Sequence, residues 1–544
     1  MSNNKKSTKG VKGTNLHAIP QTLREMNLRV VLQEILANPG QLSRADIASR
    51  TGMTKATASR LVDELLSHGF IDEHPLPVGR VTPALIASKD EMNGQREKTN
   101  SEVSGEQNSN SSNQTRYQEA IEPVKTSTRN HADVAASQES KSRRRGRPAV
   151  FLSPRRGSIV ALGLEINVSF LSAVAVDLAG RVLARRRECC DVSALSMHEA
   201  MTRLAQIAQE VRASESVCCA RFAGSSLALP GLVSADTLAI APNLGWKDVA
   251  FAQLLAPLAD FDVRQVGNEA DLAAYAIAHP RPGVAGDLAE FIYLSGNVGV
   301  GAGIVLNHDL VSGSGWSGEI GHVMVDPNGP QCSCGARGCL EAYVGLNALR
   351  QAAGIDNASS LGSELEQVSP YEANAATHRI RTDGKYDLAT ANQSESSESK
   401  EIAENLLAPH PSIEASTGIA VTPSRAEVRD MGVEAIMQAA LAGDARACAA
   451  MRDAGIALGR ALAATINTLG ISTVRVGGII GQILPVIRSV MECELADRTL
   501  QSQWQDMDID VVEHAMDLAS IGGAHRILRE AAINPGAWIA QDSK

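Results

Sequence analysis

The chain has 544 residues, 44% of them hydrophobic and 21% charged, with a formal net charge of −10. At ~100–200 residues per domain this predicts about three folded units and excludes wholesale disorder. The chain has no apolar run of about 18 residues, no apolar stretch beside the four lysines of Met1–Asn15, and only nine cysteines, so a membrane span, a signal peptide and a secreted disulfide scaffold are not expected. The expectation is a protein of the reducing cytoplasm.

Charge is divided unevenly along the chain. Residues 1–85 carry eleven Lys/Arg against seven Asp/Glu, and residues 141–156 carry seven basic residues and no acid. The acidity lies elsewhere, which predicts a polyanion-binding module joined to a body that repels polyanions.

After a basic tail at 1–15, a helix is predicted over Gln21–Ala37, ended by Asn38-Pro39-Gly40. Ser43-x-x-Asp46 reads as a capping box opening a second helix that closes at Thr51-Gly52. Thr54 caps a third helix in which Ala58, Leu61, Val62, Leu65 and Leu66 share one face. The opposite face at its start presents Lys55, Thr57, Ser59 and Arg60, groups able to meet base edges and phosphates. Residues 16–85 are therefore read as a winged helix-turn-helix DNA-binding domain. A polar, disordered insert at 86–140 is expected to interrupt the wing. It is followed at 141–156 by Arg143-Arg144-Arg145-Gly146-Arg147-Pro148 and a strand-like Ala149–Leu152. Arg-Gly-Arg-Pro is similar to the core of an AT-hook, so Arg145 and Arg147 are expected in a narrow minor groove. The plainer alternative is a three-helix structural bundle followed by a solvated arginine linker.

Residues 157–353 and 424–535 alternate strand and helix patterns, which points to α/β layering. Strands are predicted at Ile159–Leu164, Leu171–Asp177, Ser225–Leu229, Phe291–Leu294, Gly301–Val305 and Thr473–Val476. Helices are predicted at Met197–Arg212, Glu269–Ala278, Val433–Leu441 and Ala445–Leu469. Between the two blocks lies a second low-complexity insert, 354–423, and a tail follows at 536–544.

The densest chemical motif is Gly318-Glu319-Ile320-Gly321-His322 followed by Cys332, Cys334 and Cys339. Three thiolates and one imidazole complete a tetrahedral zinc shell and leave no open position, so His322, Cys332, Cys334 and Cys339 are expected to hold one structural zinc per chain. The other cysteines, 189, 190, 218, 219, 448 and 493, show no metal spacing and are expected to be core or surface thiols.

Gly318–Tyr343, with Ala241-Pro242-Asn243-Leu244-Gly245-Trp246, Gly267-Asn268-Glu269-Ala270-Asp271 and Gly299-Val300-Gly301-Ala302-Gly303, resembles the ROK family (repressor, open reading frame, kinase). With a helix-turn-helix in front, the chain resembles that family's xylose-repressor and N-acetylglucosamine-repressor branch. The resemblance implies an actin-like, ribonuclease-H-like body of two α/β lobes with a sugar in the cleft. It implies sugar contacts from Asn243, Asn268, Glu269, Glu319, His322 and Glu341. It also implies a double-stranded DNA operator, a small sugar effector, and a homodimer or homotetramer.

A kinase of this family needs a carboxylate base and glycine turns open to phosphate. Here Glu269 stands where an Asp is usual, Glu165-Ile166-Asn167-Val168-Ser169 lacks the glycines of the first phosphate loop, and Val298 replaces a threonine before Gly299. Gly477-Gly478 persists near the adenosine site. The expectation is a sugar-responsive regulator of carbohydrate-utilisation genes without catalytic residues. The alternatives are a sugar kinase carrying a DNA-binding domain and a ligand-blind DNA-binding protein.

Overall fold

The computed structural model describes residues 23–75, 150–355, 432–512 and 517–542. Arg145, Arg147 and the two inserts, apart from Gly354 and Ile355 at the start of the second, lie outside them.

The head begins with α1 (Leu23–Ala37), whose Leu28, Val31, Leu32, Ile35 and Leu36 are fully buried at i, i+3, i+4, i+7 and i+8. Each such side chain contributes roughly 1.5–3 kcal/mol on burial. β1 (Leu42–Ser43) leads into α2 (Arg44–Thr51), where Ser43 and Asp46 form the expected reciprocal capping box and Gly52, at φ 69°, ends the helix in the left-handed region. In α3 (Lys55–Ser67), Thr54 caps the N-terminus, and Ala58, Leu61, Val62 and Leu65 are buried while Leu66 is half-buried.

β2 (Ile71–His74) pairs antiparallel with β3 (Phe151–Pro154), and β3 also pairs with β1 through Leu42 opposite Leu152. The wing is thus closed by a strand about 75 positions further along the chain. The strand runs Phe151–Pro154 where the sequence suggested Ala149–Leu152, with buried Leu152 opposite Leu42, and Ala149 lies outside the described residues.

In the body, β4 (Ile159–Ile166), β5 (Phe170–Asp177) and β6 (Val182–Cys189) form an antiparallel meander, joined by β7 (Arg221–Leu229) and β11 (Val263–Asn268) parallel to β4. The order is β11-β7-β4-β5-β6. A small sheet of β8 (Leu232–Val233), β9 (Thr237–Ala241) and β10 (Trp246–Ala250) hangs beside it. The second lobe repeats the plan. β12 (Phe291–Gly296), β13 (Val300–Leu306) and β14 (Asp309–Leu310) run antiparallel, with β15 (Thr473–Gly477) and β16 (Asp508–Val511) parallel to β12. Its order is β14-β13-β12-β15-β16. This doubled topology is that of the two-lobed actin-like fold.

The helices are α4 (Met197–Ala213), α5 (Phe251–Leu254), α6 (Glu269–Ala278), α7 (Glu341–Val344), α8 (Leu346–Ala353), α9 (Gly432–Leu441), α10 (Ala445–Leu469), α11 (Gly478–Arg498), α12 (Leu518–Ile533) and α13 (Pro535–Asp542). Each strand and helix named from the body's sequence is present within a few residues. Exposed β6, with Arg185-Arg186-Arg187, lacks an apolar alternation, and α11 carries Pro485 within it, so neither is among the sequence-derived elements. Among the described residues, no helix is long and apolar enough to cross a membrane.

Head and body share one apolar cluster, in which α1, α3, α6, α12 and α13 all take part. α6 packs against α12 of the first lobe and β13 of the second. The approach is close enough that a Cβ on Gly522 would overlap the Leu272 carbonyl, and one on Gly303 would come within 2.6 Å of the Ala270 carbonyl. Gly522→Ala is therefore expected to force α6 and α12 apart and to destabilise the protein by about 1–3 kcal/mol, read as a lowered Tm in scanning calorimetry.

Candidate functional site

On the head, Lys55 and Arg60 are exposed and, among the described residues, bond to no other side chain. Thr57 and Ser59 are half-buried. The Thr57 hydroxyl lies 2.9 Å from that of Thr54 at the helix cap, and the Ser59 carbonyl accepts from Arg44 at 3.3 Å. Arg44, which the sequence reading passed over, pairs with Asp63 of α3 at 2.6 Å and Glu73 of β2 at 2.7 Å, fixing the recognition helix against the wing. No local signal marks it, because its partners lie 19 and 29 residues away.

In the body, the predicted sugar residues converge where the lobes meet. A Cβ on Gly299 would lie 2.7 Å from Asn243 Nδ2 and 3.0 Å from Glu341 Oε2, so both side chains close over that glycine. Glu341 Oε2 accepts from the Val300 amide at 3.0 Å, and its Oε1 accepts from the Ser333 hydroxyl at 3.0 Å. Glu319 Oε2 stands 3.9 Å from His322 Nε2. Burial raises the Glu319 carboxyl, a shift opposed by His322 and reinforced by Glu341.

Asn268 and Glu269 arrive from the start of α6. Asn268 is largely occupied by the protein itself. Its Oδ1 accepts from Ala270 and Asp271 amides at 2.8 and 3.3 Å, and its Nδ2 donates to Gly231 at 2.9 Å. Glu269 Oε2 accepts from Asn167 Nδ2 at 2.9 Å, and burial pushes its carboxyl up to about 7. Asp271, not among the expected contacts, is also raised to about 7 by burial, with Arg526 opposing and Glu319 adding to the shift. Behind them, buried Glu165 accepts from Ser520 at 2.9 Å and is pushed up to about 8 by burial and then by Glu269.

The Glu165–Ser169 segment is filled by its own side chains. Asn167 Oδ1 accepts from the Ser169 amide and hydroxyl at 3.3 and 3.1 Å while its Nδ2 holds Glu269. At the other glycine pair, a Cβ on Gly477 would strike the Tyr293 hydroxyl, and Gly478, at φ 61°, lies against the Gly296 carbonyl. Close backbone packing is sufficient reason for both glycines.

His322, Cys332, Cys334 and Cys339 place one ligand atom each within 4.8 Å of one another. Cys332 Sγ is 3.8 Å from His322 Nδ1, and Cys334 Sγ is 3.8 Å from Cys339 Sγ. Thiolates around a tetrahedral cation with metal–sulfur bonds of about 2.3 Å stand about 3.8 Å apart, so the cluster has the dimensions of a metal site. Gly338, at φ 67°, permits the turn because any Cβ there would overlap the Asp326 carbonyl. The Ala336 amide holds the Cys334 thiol below its ordinary value. Ser333 sits between two of these cysteines and bonds Glu341, so the loop touches the cleft directly. Of the remaining cysteines, 189, 218, 219 and 493 are exposed, and 190 and 448 are half-buried.

Residues 161–531 match the model of the ROK family. The chain belongs to the ROK family. Residues 30–80 match the MarR family model, in line with the winged head in front of the ROK body. The chain is 26% identical over 338 residues to the xylose repressor of Bacillus spizizenii, spanning 60% of this chain and 67% of that protein. It is 30% identical over 191 residues to an N-acetylmannosamine kinase of Citrobacter koseri, spanning 34% and 64%. In fold it resembles the crystal structure of a ROK family transcriptional regulator described as a homolog of the E. coli MLC protein. That likeness has a TM-score of 0.56 and 19% identity over 95% of this chain and 99% of that one. The ROK family thus holds both repressors and sugar kinases among this chain's relatives.

Cys334→Ser is expected to lower the metal content of the purified protein from about one ion per chain toward zero and to lower its Tm. Mass-spectrometric metal analysis and calorimetry read both, and an unchanged metal content would discard this ligand set.

Proposed function

We propose that the chain is a sugar-responsive, DNA-binding transcriptional repressor of carbohydrate-utilisation genes, without kinase activity. The observation that carries this reading is a single compact unit joining a winged helix-turn-helix, whose Lys55 and Arg60 are unpaired among the described residues, to a carboxylate-lined cleft of a ROK body. The xylose repressors among its relatives support a pentose or related aldose as the effector class.

In this reading Asn243, Glu319 and Glu341 bind sugar hydroxyls, since carboxylates and amides hold vicinal hydroxyls in fixed orientation. Asn268 and Glu269 shape the cleft floor. His322, Cys332, Cys334 and Cys339 hold zinc, which supplies cross-linking of the loop and no chemistry. His322 offers Nδ1 to the thiol side and Nε2 to the cleft, and Ser333 ties the loop to Glu341.

The absence of phosphoryl transfer is supported by Asn167. Its side chain occupies the turn where a kinase leaves room for phosphate and binds Glu269, which stands where the family's base would stand. Two heads of a homodimer or homotetramer would read a pseudo-palindromic operator, each setting Lys55, Thr57, Ser59 and Arg60 at a major groove, with Arg145 and Arg147 adding minor-groove contacts.

Titration of the full chain on DNA upstream of its own gene, with D-xylose and other aldoses and without ATP, is expected to show one sugar weakening DNA binding several-fold. Sugar-dependent ADP release on adding ATP would instead establish the kinase reading. Arg60→Ala is expected to weaken operator binding about tenfold or more and to reduce the salt slope by about one, both readable by fluorescence anisotropy.

A further inference from the structure

We propose that α6, with Arg281 just beyond its C-terminus, is the positioning element that couples the cleft to the DNA head. The inference rests on the sugar-responsive reading and names how that response would travel.

The cleft end of α6 carries Asn268, Glu269 and Asp271, with Glu269 held by Asn167 and Asp271 beside Glu319. A ten-residue helix then runs about 15 Å. Its composition, Glu-Ala-Asp-Leu-Ala-Ala-Tyr-Ala-Ile-Ala, keeps it thin, and every residue from Leu272 to Ala278 is buried. On one flank β13 of the second lobe presses on it at Gly303, and on the other α12 of the first lobe presses on it at Gly522. A helix gripped by both lobes with no room for a methyl group moves when the lobes rotate, and it moves as a body.

Its far end is bonded to the head. The His279 carbonyl accepts from Nδ1 of fully buried His525 on α12 at 2.9 Å, which anchors the helix end. Arg281 Nη1 donates to the carbonyls of Ala37 at 3.1 Å and Leu36 at 3.5 Å. These are the last residues of α1, where carbonyls lack intrahelical donors and the helix dipole is negative, so a guanidinium is a matched partner. Arg221 of the same lobe does the equivalent for the recognition helix. Its Nη2 donates to the His68 carbonyl at 3.0 Å while its guanidinium lies over the rings of Phe70 and Trp538. Two head helices are thus held by their C-terminal ends from the first lobe, and Arg281 is the one that continues directly from a helix rooted in the cleft.

The test uses the full chain, labelled DNA from upstream of its own gene, and D-xylose followed by other aldoses. In the wild type, saturating sugar is expected to change the DNA Kd by about tenfold or more, whereas in Arg281→Gln, with sugar affinity kept within about twofold, the ratio falls below about twofold. Arg281→Lys, whose ammonium still reaches a helix-end carbonyl, recovers part of the ratio. A wild-type ratio in Arg281→Gln overturns the proposal, and if that variant fails to fold, Arg281→Met, which keeps the stem and removes every donor, carries the same test. Hydrogen exchange gives a reading independent of the sugar. Adding DNA is expected to alter exchange at amides 269–273 in the wild type and not in Arg281→Gln, and no change in the wild type also overturns the link. Failure of the wild type to bind DNA at all would instead refute the regulator reading on which the link rests.

Discussion

Close contact at the junction of the lobes is the constraint on which the rest of the molecule depends. α6 is buried between two five-stranded sheets of the same topology, and glycines on both flanks bring it nearer its neighbours than any side chain would allow. Close packing of this kind leaves little compressible volume, so small changes in the lobes are transmitted rather than absorbed. The same packing fixes Asn268, Glu269 and Asp271 at the floor of the cleft, because they are the first turn and cap of that helix.

The cleft gathers Glu165, Glu269, Asp271, Glu319 and Glu341 in one region, an expensive arrangement for ionised carboxylates. The structure answers the cost in different ways. Glu269 is held by Asn167, Glu165 by Ser520, and Glu341 by the Val300 amide and Ser333. Where burial is deepest the carboxyls are raised to about 7 or 8, because burial disfavours the charged form. Asn167 steadies Glu269 through its amide nitrogen while its amide oxygen accepts from the Ser169 amide and hydroxyl.

The four clustered thiol and imidazole groups lie where the polypeptide has little regular structure. Between β14 and α7 the chain is made of turns, and its geometry rests on Gly338, on short bridges such as Gln331 to Arg337, and on the four clustered ligand atoms. The loop meets the cleft at two points, His322 Nε2 3.9 Å from Glu319 and the Ser333 hydroxyl bonded to Glu341.

Local signals in the sequence were enough for the head's helices and their caps, since a capping box, a left-handed glycine and an i, i+3, i+4 stripe each act within one turn. They were also enough for the main strands of both lobes and the His–Cys set, whose ligands are close in sequence or marked by residue type. Other features depended on partners far away in the chain. The wing strand beyond the insert and the two lobes were expected from the sequence, but the strand order within each sheet and the pairing of Leu152 with Leu42 were not, and Arg44, Ser333, Asp271 and Arg281 act through contacts that no spacing reveals. The amino acids chose which segments become helix, strand or cysteine-rich loop, because those choices are made by neighbouring residues. Which buried carboxyl meets which amide, and which arginine reaches the DNA head, was decided only when the lobes packed, because those energies exist only between surfaces that tertiary structure brings together.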